Sequence, residues 1–102
     1  MDLYLSIARM KAQKAGLTGL LTFATDGKHK LQITAPDGSI RRFGARGYGD
    51  DIQYRLREME GLEKPGTADQ HRSAYHARAT KAPGNWRRDP YSANALALRI
   101  LW

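Results

Sequence analysis

The chain has 102 residues, no cysteine and a formal net charge of +7 at pH 7, from 17 Lys and Arg against 10 Asp and Glu. This length predicts one domain, residues 1–102, with one modest core. The lack of cysteine excludes disulfides, thiolate metal sites and a cysteine nucleophile. The basic balance favours a polyanionic partner, such as nucleic acid, an anionic membrane surface or an acidic protein, but ordinary solubility charge explains it equally well.

Residues 2–15 are predicted to form a helix. Leu3, Ile7 and Met10 recur at helical spacing and mark one apolar stripe. Gly16 is the predicted stop. Residues 1–16 either pack on their own domain or form an arm that packs on a neighbouring subunit.

Three short runs after this helix, LLTFAT, KLQIT and SIRRFGA, are predicted to be strands. The turn signals Asp26-Gly27 and Pro36-Asp37-Gly38 separate them, which favours antiparallel hairpins. Ile40 and Phe43 lie three residues apart and cannot both face inward on a regular strand. We therefore expect a bulge or bend near Arg41–Phe43.

The glycine-rich segment GARGYG, residues 44–49, leads from the last strand to a helix. Its glycine spacing matches neither a P-loop nor a dinucleotide fingerprint, and Asp50 and Asp51 after it would repel phosphate. We interpret it as a turn. The helix over residues 50–60 is predicted to be capped by Asp50 and to be amphipathic, with Ile52, Leu56 and Met59 on its apolar face.

Two further helices are predicted in the last third of the chain. Thr67 and Gln70 have the form of a capping box for a helix that runs to about Lys81. Residues 85–91 form a turn, and Ser92 caps the final helix, whose apolar face consists of Leu96, Ile100 and Leu101. The predicted fold class is α+β: an N-terminal helix, a small antiparallel sheet of two or three strands, and three helices.

No constellation of residues indicates catalysis or metal binding. His71 and His76 are five residues apart on one helix, so they face different ways, and no acidic cluster accompanies them. No nucleophile motif is present. We therefore expect a protein that is not an enzyme and has no cofactor and no small-molecule substrate. No apolar run approaches the length that spans a membrane.

Basic and aromatic side chains supply the candidate contact surface. Arginine and aromatic residues together offer phosphate contacts and base stacking, but they also dominate protein–protein interfaces. Trp86 and Tyr91 could alternatively be core anchors. The sequence thus predicts either a protein interface, which we favour, or a nucleic-acid interface. The candidate residues are Arg41, Arg42, Arg46, Arg72, Arg78, Lys81, Trp86, Arg87 and Arg88.

The pattern FGxxGYxD…RxxYxxR…NWxxDPYS…ILW extends over residues 43–102. It resembles a small uncharacterised basic domain encoded by large DNA viruses and some phages. The chain departs from that pattern at Asp51, Ala79 and Asn94, where Tyr, His and Gly are frequent.

The resemblance implies viral or phage origin, with a location in the virion or in the cytoplasm of the infected host cell. It implies no catalytic residue. The expected function is that of a minor capsid or capsid-cementing protein that contacts other virion proteins. The alternative is a non-enzymatic DNA-binding protein.

Overall fold

A computed structural model describes residues 2–84 and 86–102. Asn85, the first residue of the predicted turn, lies outside the described residues. The elements in chain order are helix α1 (Leu3–Lys14), strands β1 (Leu21–Phe23), β2 (His29–Thr34) and β3 (Ile40–Ala45), helices α2 (Asp51–Met59) and α3 (Thr67–Ala79), a 3₁₀ helix (Trp86–Arg88), helix α4 (Ala93–Leu96) and a π-helix (Ala97–Leu101). The predicted α+β class, with its N-terminal helix, small sheet and later helices, is confirmed.

The sheet is antiparallel with the strand order β1-β2-β3. Both predicted turns form, and Asp26 accepts hydrogen bonds from the amides of Lys28 and His29 in the first of them. The predicted bulge is wrong, because the pairing runs without interruption from Thr34↔Ile40 to Leu31↔Phe43. Phe43 is buried and Ile40 instead faces outward, with 44% of its surface exposed.

The backbone is irregular one residue after that segment, at Gly44. This glycine has φ +77°, and a β-carbon there would lie 2.8 Å from the Leu101 side chain. Only glycine combines this left-handed conformation with so close an approach. Gly44 therefore lets the end of the chain pack directly on β3.

The core lies between one face of the sheet and the helices, with Leu31, Phe43, Leu96 and Ile100 at its centre. The predicted cap at Ser92 and the predicted apolar face of the last helix are confirmed. The sequence did not indicate that this helix widens into a π-helix from Ala97 onward.

Helix α1 is present as predicted, but of its predicted apolar stripe only Ile7 packs against the core. Leu3 and Met10 are 55% and 50% exposed, whereas Ala8 and Ala12 are buried in the core. The small alanine side chains let the helix lie close to its neighbours, which are β1, α2 and the π-helix.

The ends of α2 and α3 test the capping predictions. Asp50 caps α2 as predicted, since its carboxylate accepts from the amide of Gln53 at 2.9 Å. Met59 is exposed, so the predicted inward face of α2 is wrong at its last turn. The capping box at α3 is also wrong: Gly66 occupies the cap position, and Thr67 is the first helical residue.

Candidate functional site

The predicted contact residues on and after β3 form hydrogen bonds with other residues of the domain. The Arg41 guanidinium binds Asp89 at 3.0 Å and the carbonyl oxygen of Tyr91 at 3.2 Å. Arg42 donates to the Gln32 side chain at 3.2 Å. Arg46 is exposed, and within the described part of the chain its side chain makes a single long contact, 3.5 Å, with the carbonyl oxygen of Gly27. Arg41 and Arg42 are thus already engaged within the fold.

Asp89 is held in its charged form by the same contacts. The amide of Tyr91 and the guanidinium of Arg41 both donate to its carboxylate, and together they lower the pKa of Asp89. The ion pair therefore fixes the turn before α4 against the start of β3.

A second group of basic residues gathers at the C-terminal end of α3, and we call Arg78, Lys81, Arg87 and Arg88 the basic cluster. All four side chains are exposed. No acidic residue occurs between positions 70 and 88. Among residues 2–84 and 86–102, no carboxylate forms an ion pair with any of the four.

Trp86 and Arg87 dock the 3₁₀ helix onto the end of α3. The guanidinium of Arg87 donates to the carbonyl oxygen of Thr80 and lies over the Trp86 ring, 4.3 Å from its centre. The indole nitrogen of Trp86 donates to the carbonyl oxygen of Ala82 at 3.0 Å. Trp86 is only partly buried and lies outside the core cluster, whereas Tyr91 belongs to it. Of the two candidate anchors, the core therefore contains Tyr91 only.

Arg72, predicted as a contact residue, is bound to the last residue of the chain. Its Nε donates to the carbonyl oxygen of Trp102 at 2.9 Å. The ring of Tyr75, one turn further along α3, stacks on the Trp102 ring with centres 4.5 Å apart. The first two residues of the RxxYxxR pattern thus hold Trp102 in place.

Asp50 is the centre of a buried polar cluster that the sequence did not reveal. Its side chain, 1% exposed, accepts from the Tyr4 hydroxyl at 2.6 Å and from the Lys30 ammonium at 2.9 Å. Burial and the Asp50 carboxylate both raise the pKa of Tyr4, so its hydroxyl stays protonated and donates. Tyr4 and Asp50 lie 46 positions apart, so no local spacing signals their contact.

Asp51 is buried as well, and its carboxylate binds Arg55 at 2.9 Å and lies 3.8 Å from the Lys11 ammonium. Neither Asp50 nor Asp51 therefore presents an uncompensated charge to solvent. The repulsion of phosphate expected from these two residues is small, because each carboxylate is balanced by a cation inside the domain.

Two neighbouring cavities lie on either side of the loop Gly47-Tyr48-Gly49. Their volumes are about 830 and 600 Å³. Tyr48, which is 75% exposed, lines both of them, as does Tyr54. Gly49 leaves room for Tyr54, since a β-carbon at Gly49 would lie 2.6 Å from the Tyr54 hydroxyl.

Aromatic rings line the smaller cavity. Tyr54 stacks on His71 with ring centres 4.0 Å apart and lies 6.5 Å from Trp102, which in turn stacks on Tyr75. Burial raises the pKa of Tyr75. The side chain of Arg78 lines the same cavity. A cavity with aromatic walls and a cation suits a ligand that carries both a planar ring and negative charge.

No group of three His, Asp or Glu side chains in the described ranges is placed to hold a metal ion. Within the part of the chain that the structure describes, no helix has the length and apolar character needed to cross a membrane. The chain matched no protein-family model, no curated protein and no solved structure.

Proposed function

We propose that the protein is a non-enzymatic nucleic-acid-binding protein of viral origin. The basic cluster at the end of α3 contacts the phosphate backbone. The viral origin rests on the sequence pattern over residues 43–102, and the binding activity rests on the structure of the cluster.

The observation that carries the proposal is the division of the arginines into two classes. Arg41 and Arg42 contact acidic or amide side chains of the domain, whereas Arg78 and Arg88 form no ion pair or hydrogen bond within residues 2–84 and 86–102. Exposed cations without internal partners are free to displace counterions from a polyanion. Lys81 lies between them in the chain, in a segment that contains no acidic residue.

Salt-dependent binding of duplex DNA tests the proposal. Phosphate contacts by Arg78, Lys81 and Arg88, the three members of the basic cluster without an internal partner in the described ranges, predict a plot of log affinity against log salt concentration with a slope of about −2.7. Arg88→Gln removes one such contact and is expected to reduce the slope by about 1. Arg42→Gln is the matched control, because it removes the same charge from an arginine that contacts Gln32.

Two results would contradict the proposal. If the wild-type protein retains neither duplex nor single-stranded DNA at low salt, the proposed nucleic-acid binding is refuted. If the two substitutions reduce affinity and slope equally, binding follows net charge and the basic cluster is not the interface.

A second candidate function is that of a minor capsid or capsid-cementing protein, which would bind other virion proteins. An apolar pair on the uncovered face of the sheet favours it. Thr34 pairs with Ile40 and donates to the carbonyl oxygen of Leu20, so the three residues form one row. Leu20 and Ile40 are 65% and 44% exposed. Absence of the protein from purified virus particles, measured by mass spectrometry, would exclude this function.

A further inference from the structure

We propose that the preferred ligand is single-stranded nucleic acid, and that one of its bases enters the smaller cavity and stacks against Tyr48. This inference rests on the proposed nucleic-acid function and adds the form of the ligand and the position of a base site. The site consists of Tyr48, Tyr54, Tyr75, Trp102 and Arg78.

The loop that carries Tyr48 makes this residue a suitable stacking platform. Tyr48 lies between two glycines, and Gly47 has φ +91°; apart from its chain neighbours, no residue of the described ranges comes within 4 Å of where its side chain would be. The ring is 75% exposed and makes no aromatic stack with Tyr54, Tyr75 or Trp102. An exposed ring of this size that contributes nothing to the core is available to a ligand.

The size of the cavity fits a small planar group. Its volume of about 600 Å³ lies within the range of about 300–1,000 Å³ that is typical of small-molecule sites. Tyr54 and Trp102 form part of its wall, and their positions are fixed by stacking on His71 and Tyr75. The wall is therefore formed before a ligand arrives, and only the Tyr48 loop has to adjust.

The charges around the cavity favour a phosphate at its mouth. Arg78 belongs to the basic cluster and also lines the cavity, so it connects the surface that meets the backbone with the space that accepts a base. Asp50 is the acidic residue in the lining, and its carboxylate is buried and bound to Lys30. A strand that passes over the basic cluster can thus place a base in the cavity while its phosphate contacts Arg78.

A duplex cannot use this site in the same way. Its bases are already paired and stacked, and turning one outward costs a few kcal/mol. The bases of a single strand are free to stack on protein aromatics, and such stacking is independent of sequence. The cavity therefore predicts a preference for single strands, whereas the basic cluster alone predicts none.

The test measures fluorescence anisotropy with three labelled probes of equal length: oligothymidylate, an abasic strand with the same phosphates, and a duplex. Tyr48→Ala is expected to weaken binding of oligothymidylate about tenfold, the loss of one base stack. Tyr48→Phe keeps the ring and should bind as the wild type does. Affinity for the abasic strand and for the duplex should not change in either variant.

Met59→Ala is the matched control, because it removes a comparably exposed apolar side chain that does not line either cavity. If Tyr48→Ala leaves oligothymidylate binding unchanged, or weakens binding to all three probes equally, the base site is refuted while phosphate binding stands. If the wild type binds none of the probes at low salt, the proposed function fails and the base site falls with it.

Discussion

Replacing Asp50 by alanine is expected to destabilise the domain much more than replacing Asp2, although both carboxylates cap a helix. Asp2 accepts from the amide of Leu5 at 3.2 Å at the exposed start of α1. Asp50 accepts from the amide of Gln53 at 2.9 Å at the start of α2. Loss of a cap costs about 1 kcal/mol, and this part of the effect is common to both substitutions.

The excess arises from the other two partners of Asp50. Asp50→Ala leaves the half-buried Tyr4 hydroxyl without its acceptor, at a cost of about 1–3 kcal/mol. It also leaves the Lys30 ammonium without its counterion. Removing one partner of a fully buried pair costs about 3–5 kcal/mol. The Lys30 side chain is 12% exposed, so water recovers part of that loss. We expect a total of about 3–5 kcal/mol for Asp50→Ala against about 1 kcal/mol for Asp2→Ala.

Urea unfolding followed by far-ultraviolet circular dichroism measures both changes, provided that the dependence on urea is the same in each variant. A domain of this size has a total stability of about 5–15 kcal/mol, so the expected loss is large. Equal destabilisation by Asp2→Ala and Asp50→Ala would refute the buried cluster. A double-mutant cycle adds a second check: Tyr4→Phe should cost about 1 kcal/mol in the wild type, whereas in Asp50→Ala it should be neutral or stabilising, because it removes the hydroxyl that has lost its acceptor.

Three further substitutions test other parts of the structure by the same unfolding assay. Trp86→Ala should cost about 1–2 kcal/mol, since Trp86 lies outside the core; a loss of about 3–5 kcal/mol would place it inside. Gly44→Ala should destabilise by more than about 1 kcal/mol, because of its positive φ and the close approach of Leu101; unchanged stability would contradict that packing. Hydrogen bonds from His29 lower the pKa of Asp26. The charged carboxylate therefore stabilises the fold at pH values above the ordinary Asp pKa of about 4. This stabilisation is lost as the pH falls below that value. Asp26→Asn should therefore flatten the acid side of the stability profile, and an unaltered profile would contradict this assignment.

The parts of the fold that the sequence predicts correctly are those specified by short local signals. The turn at Asp26-Gly27 and the caps at Asp50 and Ser92 each depend on residues within four positions of one another. These predictions hold in the folded protein because the hydrogen bonds involved form between residues that are close together in the sequence. The order of the three strands then follows from hairpin connections.

The incorrect predictions share a different cause. Helical spacing of Leu3 and Met10 identified the wrong face of α1, because close packing against the π-helix selects the small residues Ala8 and Ala12 instead. The periodicity of large apolar side chains predicts which face of a helix is buried, but it does not show how closely the helix approaches its neighbours. The predicted bulge near Ile40 failed for a related reason, since a small sheet leaves one face open and an apolar residue there stays exposed.

The candidate site depends even more than the fold on contacts between residues that are distant in the sequence. The ion pair between Lys30 and Asp50 and the stacking of Tyr75 on Trp102 join residues that are far apart in the chain. The sequence gives a list of basic and aromatic residues, and only the fold separates those that are engaged internally from those that are not.

That separation supports the assignment of function to particular residues. Within the pattern that extends over residues 43–102, Phe43 fills the core, Asp50 caps α2 and Tyr75 supports Trp102. Each of these has a structural role that accounts for its residue type. Tyr48 and Arg78 are exposed and line one common cavity, and their side chains form no hydrogen bond or ion pair with other residues of the described ranges. The contacts of the fold therefore do not account for the residue types at Tyr48 and Arg78, and the proposed base site would account for both.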